Sequence, residues 1–480
     1  MERLVIGRAE FKDKVFACWL GKSIGGTLGT PLEGLRHTHD LEFYEPVPSR
    51  PLPNDDLDLQ LIWLKMMEDV GAAPSLPQFA EYWNAYACCY PWNEYGFFMR
   101  NFARGLRPPV AGCFENYFVD EMGSPIRSEI WACLHPADPQ AAACLAWKDS
   151  AVDHAGGEGM WGEMFWAAAE SAAFVEPDAL TLIRLGLEMI PQACHVGRSV
   201  REALWCFENA VPWGKARERI ASRFGHIQPC NAVPNHGFTV LGWLYGKDFG
   251  DRLCKAVNCG YDTDCTGATL GAVLGIIGGT AAIPEKWIKP IGLEIVPHKF
   301  TRGPGLPKDL RELTERTVAL AEKAAGPDCP AFGEKTALPA DLLTRLFRNE
   351  RALAARAQDA AMAVELSGGR EVEFHYGGEP VLRPGIGRQV WVTAGGAAAG
   401  QVDLAVPAGW MCQRLGPDRF LLSASGEIAD RNTVRVMLSD GASAEFTILG
   451  PGQSKGFPAG DNVPECKQCH ARIEACICQR

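Results

Sequence analysis

Residues 259–271 read CGYDTDCTGATLG, and two features of this run are unusual. Asp262 and Asp264 stand two apart, with Thr263 between them and Cys265 and Thr266 behind. Glycines then recur at spacing four, at Gly267, Gly271 and Gly275. That spacing places residues near one face of a helix, and glycine there lets another backbone approach closely. Glycine inside a helix costs about 1 kcal/mol relative to alanine, so a ladder of them calls for a packing or functional reason. A second ladder, Gly21, Gly25 and Gly29, lies in GKSIGGTLGTPLEG at 21–34. The ladders predict tight helix packing; the carboxylates beside them need a further account.

One acid is enough to cap a helix. Two carboxylates flanked by hydroxyls, in a segment otherwise small and apolar, form an oxygen-rich site for a hard cation. Buried like charges are costly unless a cation neutralises them. A comparable group, Asn54-Asp55-Asp56, precedes LDLQLIWLKMM, where Leu57, Leu61 and Leu64 fit a helical stripe. Asn54 reads as an N-cap with two acids in the first turn, and by itself that is no more than a good helix start. If the two helix starts meet, four carboxylates converge. That suits two cations about 3.5–4 Å apart, and Mg²⁺ or Mn²⁺ is the natural occupant.

The rest of the 480 residues sets limits on function. Hydrophobic residues at 47% and charged residues at 22% give ordinary globular composition, which excludes disorder over most of the chain. A net charge of −11 argues against nucleic-acid binding as the main task. The opening MERLVIGRAEFKDKVFACWLGK has scattered charges and no apolar core after a basic start, so no secretion signal is expected. The apolar run 268–283 carries four glycines, ends at Pro284 and falls short of the ~20 residues a membrane span needs. A cytoplasmic protein without a membrane partner is expected.

Residues 1–325 read as an all-helical domain. In GEMFWAAAESAAFVEP, for example, Met164, Phe165, Ala168, Ala169 and Ala172 keep three-to-four spacing and stop before Pro177. Residues 326–366 read as a bridge, with 342–366 as one long exposed helix. From 367 to 450 short alternating runs such as REVEFHY, QVWVT and TVRVMLS, separated by turn residues, predict a β-sandwich. Residues 451–480 read as a linker and a cysteine-rich tail. The expected fold class is therefore multidomain and mostly α, with a small β-sandwich after the helical domain.

Three ordered motifs, GGTLGTPLEG (25–34), NDD (54–56) and GYDTDCTGAT (260–269), resemble those of the ADP-ribosylglycohydrolases, over roughly residues 11–290. The resemblance implies a compact helical fold with a binuclear Mg²⁺ or Mn²⁺ site. It implies metal ligation by Asp55, Asp56, Asp262 and Asp264, with Asn54 standing where the family has Thr or Ser. Cys265 stands where a Thr or Ser ligand is usual; a thiol is a poor Mg²⁺ ligand, so either Thr266 substitutes or one metal site is weaker. Glu33 resembles an acid that gates or reaches the metals, and reads equally as a surface acid. Glu33, Asp55 and Asp56 are the candidate bases. MGSPIRSEIWACLHPADP (122–139) resembles a phosphate-cradling loop, which would bring Gly123 and Ser124 to a diphosphate; an ordinary turn reads almost as well. DHAGGEGMWGEMFWAAA (153–169) resembles a ligand-lining loop with His154 and Gly157. A lone histidine is also a common structural residue.

The implied activity is hydrolysis of the glycosidic bond between ADP-ribose and an acceptor, a protein side chain or small molecule. A simpler N-riboside as substrate remains open because of Asn54 and Cys265. So does a non-catalytic ADP-ribose-binding scaffold. Of eighteen cysteines, Cys466, Cys469, Cys476 and Cys478 crowd into the tail, where with or without His470 they could close a tetrahedral Zn²⁺ site or form a reducible tail. The partner of the C-terminal part is not specified by the sequence.

Overall fold

The computed structural model describes residues 4–451, apart from 88–92, 302, 304, 325–329, 335–336, 359–360, 368–369 and 396. The four tail cysteines lie outside the described residues. The chain divides into two units: one takes Met1–Pro74, Asp120–Ser150 and Gly157–Ala357, the other Ser75–Val119, Ala151–Gly156 and the chain from Gln358 on.

The first unit is helical, and its centre is set by the glycine ladders. Helix α1 (Arg8–Gly29) runs against the glycine-rich helix Thr263–Gly278 with no side chain between the backbones at three levels. A Cβ on Gly21 would lie 2.0 Å from the Gly271 carbonyl oxygen, and one on Gly25 1.9 Å from that of Gly267. On Gly29 it would lie 2.1 Å from the Thr263 oxygen. The ladders of the sequence are thus one interlocked pair. Helix α2 (Asp55–Val70) starts as expected: the Asn54 side chain accepts from the Asp56 N–H at 2.7 Å. Helix α3 (Ser128–Leu134), helix α4 (Glu158–Ala173), helix α5 (Ala232–Tyr245) and the Thr263–Gly278 helix, α6, supply the other walls. Two three-residue strands, β1 (Val5–Gly7) and β2 (Ala331–Gly333), pair in parallel in the same unit and are too short to show alternation.

The second unit carries the remaining described strands. One sheet has the order β3 (Ala361–Leu366), β4 (Arg370–His375), β5 (Arg388–Ala394), then Arg419–Ala424 and Trp410–Arg414; the other runs Ser443–Leu449, Arg431–Leu438, Val402–Ala405. Pairing within both is antiparallel. Inward residues alternate as read: Val372 and Phe374 on β4, Val434 and Val436 on Arg431–Leu438. Phe374 stacks on Phe446 across the two sheets, ring centroids 5.1 Å apart.

One expectation needs correction. The single helix over 342–366 is instead two short helices, Leu342–Leu346 and Glu350–Arg356, followed by β3. AMAVEL has helix-compatible residues, but pairing with β4 sets Met362 opposite Phe374 and Val364 opposite Val372, and that partner outweighs local preference. The helices within Ser75–Val119 make their contacts within the strand-bearing unit. Among the described residues, no helix is long and apolar enough to cross a membrane.

Candidate metal centre

The first link from sequence to site is a strained turn. Gly260 (φ +74°) and Tyr261 (φ +72°) both adopt the left-handed region just before Asp262. A Cβ at Gly260 would lie 2.3 Å from the His37 carbonyl oxygen, so glycine is required there, while a tyrosine in this region costs on the order of 1 kcal/mol. Hydrogen bonds hold the turn: Gly34 N–H donates to the Tyr261 carbonyl, and Tyr261 N–H to that of Leu35, each at 2.9 Å. The loop that carries Glu33 is thereby laced to the turn that carries Asp262. Thr263 Oγ1 donates to the Gly29 carbonyl at 2.8 Å, closing the end of α1 onto the start of α6.

The predicted acids converge in two groups. Asp56, Asp264 and Cys265 bring one donor atom each within 4.8 Å of one another; Glu33, Cys230 and Asp262 do the same. Asp56, Asp262 and Asp264 are buried, and each keeps one carboxylate oxygen with no hydrogen-bond partner. Burial pushes Asp262 and Asp264 far above the usual carboxylate range, helped at Asp262 by the charge of Asp264 and at Asp264 by that of Glu33. For Asp56, burial raises the carboxyl further than nearby Lys22 lowers it. Burial also raises Asp55. Glu33 lies exposed at the rim; removal from water at its carboxyl, then the charges of Asp55 and Asp56, pushes it up to about 7. Buried carboxylate oxygens that accept no hydrogen bond, on acids crowded by other acids, are what a divalent cation neutralises, so the donor set fits one.

Other residues stand differently from the sequence reading. The Asn54 oxygen is already the N-cap of α2, leaving its second lone pair for a cation. Its amide nitrogen is buried without a partner beside Gly26, where a Cβ would lie 2.3 Å away. Thr266 is buried and donates to the Thr263 carbonyl at 3.2 Å. Ser124 is wholly buried: its hydroxyl lies 2.7 Å from Ser150 Oγ and 2.5 Å from Glu163 Oε2. A cradle there would rest on backbone N–H groups, since the hydroxyl is committed inward. Gly123 is also buried, and Gly157 is the residue before α4. His154 belongs to the second unit, wholly buried, with Nδ1 2.6 Å from Asp153 Oδ1 and Nε2 3.5 Å from Glu94 Oε1.

Sequence reasoning missed the support of Asp56. Lys22 is fully buried, with Nζ 2.8 Å from Glu129 Oε1 and 3.9 Å from Asp56 Oδ1. Gln60 joins them, donating to Glu129 Oε2 at 2.8 Å and to the Asp56 carbonyl at 2.9 Å. A lysine inside the apolar run CWLGKSIGG was the signal. Asp58 was missed as well; it accepts from His298 N–H and from Thr301 Oγ1 at 3.1 Å, yet burial pushes it up to about 7. Cys230 had no sequence signal beyond its own chemistry.

A family model described as ADP-ribosylglycohydrolase matches residues 7–327. An uncharacterized protein of Archaeoglobus fulgidus is 25% identical over 294 residues, which span 58% of this chain and 91% of that protein. A solved chain from an "ADP-ribosylglycohydrolase-related protein complex" is similar at 20% identity and a TM-score of 0.43, covering 65% of this chain and 98% of that one.

Proposed function

Since the chain belongs to the ADP-ribosylglycohydrolase family, we propose that it hydrolyses the glycosidic bond between ADP-ribose and an acceptor with the help of divalent cations. A glycohydrolase-type function follows from the family. The observation that carries it is the convergence of Asp56, Asp262 and Asp264, each with a buried oxygen that accepts no hydrogen bond, beside Asp55 and Glu33.

Asp55, Asp56, Asp262 and Asp264 would hold the cations, for which the family resemblance implies Mg²⁺ or Mn²⁺. Bound there, they would supply Lewis acidity toward the ribose hydroxyls. Glu33, at the rim and with a carboxyl near neutrality, takes the proton of the attacking water. The surrounding carboxylates favour positive charge developing at the ribose carbon. Lys22, Glu129 and Gln60 fix Asp56 from behind, so that ligand does not swing as charge changes. A simpler riboside as substrate is favoured by one observation: the Ser124 hydroxyl, expected at a diphosphate, is spent inside the protein.

The test follows free ADP-ribose released from arginine- and serine-linked substrates, with divalent cation, with chelator, and with Asp262→Asn and Glu33→Gln. Release that needs the cation is expected, with Glu33→Gln slower by about 10²–10⁴-fold and Asp262→Asn at least as impaired. Cation binding without release would move the reading to a simpler riboside. Failure to bind any cation would leave the scaffold reading.

A further inference from the structure

Each of the two donor groups contains a thiol. Cys265 lies with Asp56 and Asp264, its sulfur 3.8 Å from Asp56 Oδ2, and Cys230 lies with Glu33 and Asp262. Neither sulfur is accounted for as the small buried hydrophobe that free cysteine usually is, because the groups gathered around it are carboxylates. The acids are independently open to a ligand: Asp262 and Asp264 each present an oxygen that accepts no hydrogen bond, as does Asp56, whose free oxygen has Lys22 Nζ 3.9 Å away. The two positions also differ. Cys265 is buried with its two acids, whereas Cys230 is only partly covered and its companion Glu33 is exposed.

Mg²⁺ demands oxygen donors in near-ideal octahedral geometry and keeps much of its water. A sulfur in each group is of no use to it. Divalent ions later in the Irving–Williams order accept mixed carboxylate and thiolate donors readily, and zinc and iron are commonly held by cysteine. We propose that this centre, read as the hydrolytic site above, is built for sulfur-accepting divalent cations of the Fe²⁺ to Zn²⁺ class, with Cys265 ligating at the inner position and Cys230 at the rim. On binding, each thiol gives its proton to water and its sulfur lone pair to the ion, with no change of oxidation state. The centre thus departs from the all-oxygen chemistry that the carboxylates alone would suggest.

Co²⁺ is the probe, because a thiolate on cobalt gives a sulfur-to-metal charge-transfer absorption that oxygen ligands do not. The full chain is used with its four tail cysteines changed to serine, so that the clustered tail thiols cannot contribute, after stripping with chelator; the cysteines outside the centre are controlled by the double variant below. Titration should produce the sulfur band. Cys265→Ser and Cys230→Ser should each remove roughly half of it, and the double variant all of it. Zn²⁺ should displace the cobalt, while Mg²⁺ at roughly a hundredfold excess should not, given that loss of even an outer partner shifts metal affinity by about 10–100-fold. Cobalt binding without a sulfur band, a band that survives the double variant, or equal competition by Mg²⁺ would overturn the assignment. If a serine variant misfolds, the parent with both thiols still keeps the assignment open to refutation, since absence of the band there overturns it. ADP-ribose release is scored separately. Release supported by Mg²⁺ with no sulfur band ends the thiol assignment and leaves the hydrolase; a sulfur band without release does the reverse.

Discussion

At Gly25 a single methyl group would break the helical unit. Its Cβ would sit 1.9 Å from the Gly267 oxygen and 2.2 Å from the Gly267 carbonyl carbon, and backbone cannot rotate away as a side chain can. Gly25→Ala should therefore cost about 3 kcal/mol or more, the upper end of overpacking, read as a lower midpoint in chemical denaturation. Gly214→Ala, on the exposed helix Trp213–Phe224 with nothing within 4 Å of its Cβ, should change stability by no more than ~1 kcal/mol, towards greater stability. Equal midpoints for the two variants would refute the interlock. Asp264 works in the opposite direction. Buried, and beside Glu33 and Asp55, it costs stability in the cation-free protein. Asp264→Asn should raise the stability of the stripped protein at neutral pH by on the order of 0.5–2 kcal/mol, while sharply reducing the thermal shift caused by cation. A variant less stable when stripped would show that the acid is structural.

His154 shows how an element is held. The segment Ala151–Gly156 and the helix Asn93–Ala103 meet in the second unit through His154, Asp153 and Glu94. Burial alone would lower the imidazole, but the two carboxylates outweigh it and hold the group at about 9, against an ordinary 6.5. A raised folded value means that the stabilisation is complete below 6.5 and is lost as pH rises through about 9. It is worth on the order of 3 kcal/mol. The stability gap between the parent and His154→Gln should therefore be widest near pH 6 and shrink towards pH 10; a gap independent of pH would mean that packing, not charge, does the holding. Histidine and the following glycines were legible as a special segment, but their chemistry was not, because Glu94 lies sixty residues away in sequence. The same limit explains 342–366. Alanine, methionine and glutamate favour a helix locally, and only the partner strand, which local propensity cannot see, decides that 361–366 is extended. Helices with their own stripe and stop, such as α4, were readable because every deciding residue is local.

Over the whole molecule, the acids that define the centre were legible because each pair falls within three residues and is chemically excessive for its helix start, whereas Lys22, Glu129 and Cys230 reach it only through folding. Those acids also set how the protein responds to pH. Glu33 and Asp58 ionise near 7 in the folded chain, against ordinary values of 4.5 and 3.8, and Asp56, Asp262 and Asp264 are raised further. Between these limits the folded protein binds more protons than the unfolded chain, so stability falls as pH rises. The contribution is complete below about pH 4, where the unfolded acids are also protonated, and is lost progressively as pH passes 7. Cation removes the cause by replacing protons with positive charge, and it competes with those protons for the same oxygens. Thermal unfolding of the chelator-treated protein should therefore weaken from pH 5.5 to pH 8. Saturating cation should add little at the lower pH and much more at the higher, about 2.7 kcal/mol at a hundredfold excess over its dissociation constant. A cation effect of equal size at both ends would mean that the ion binds somewhere other than this buried, proton-holding cluster.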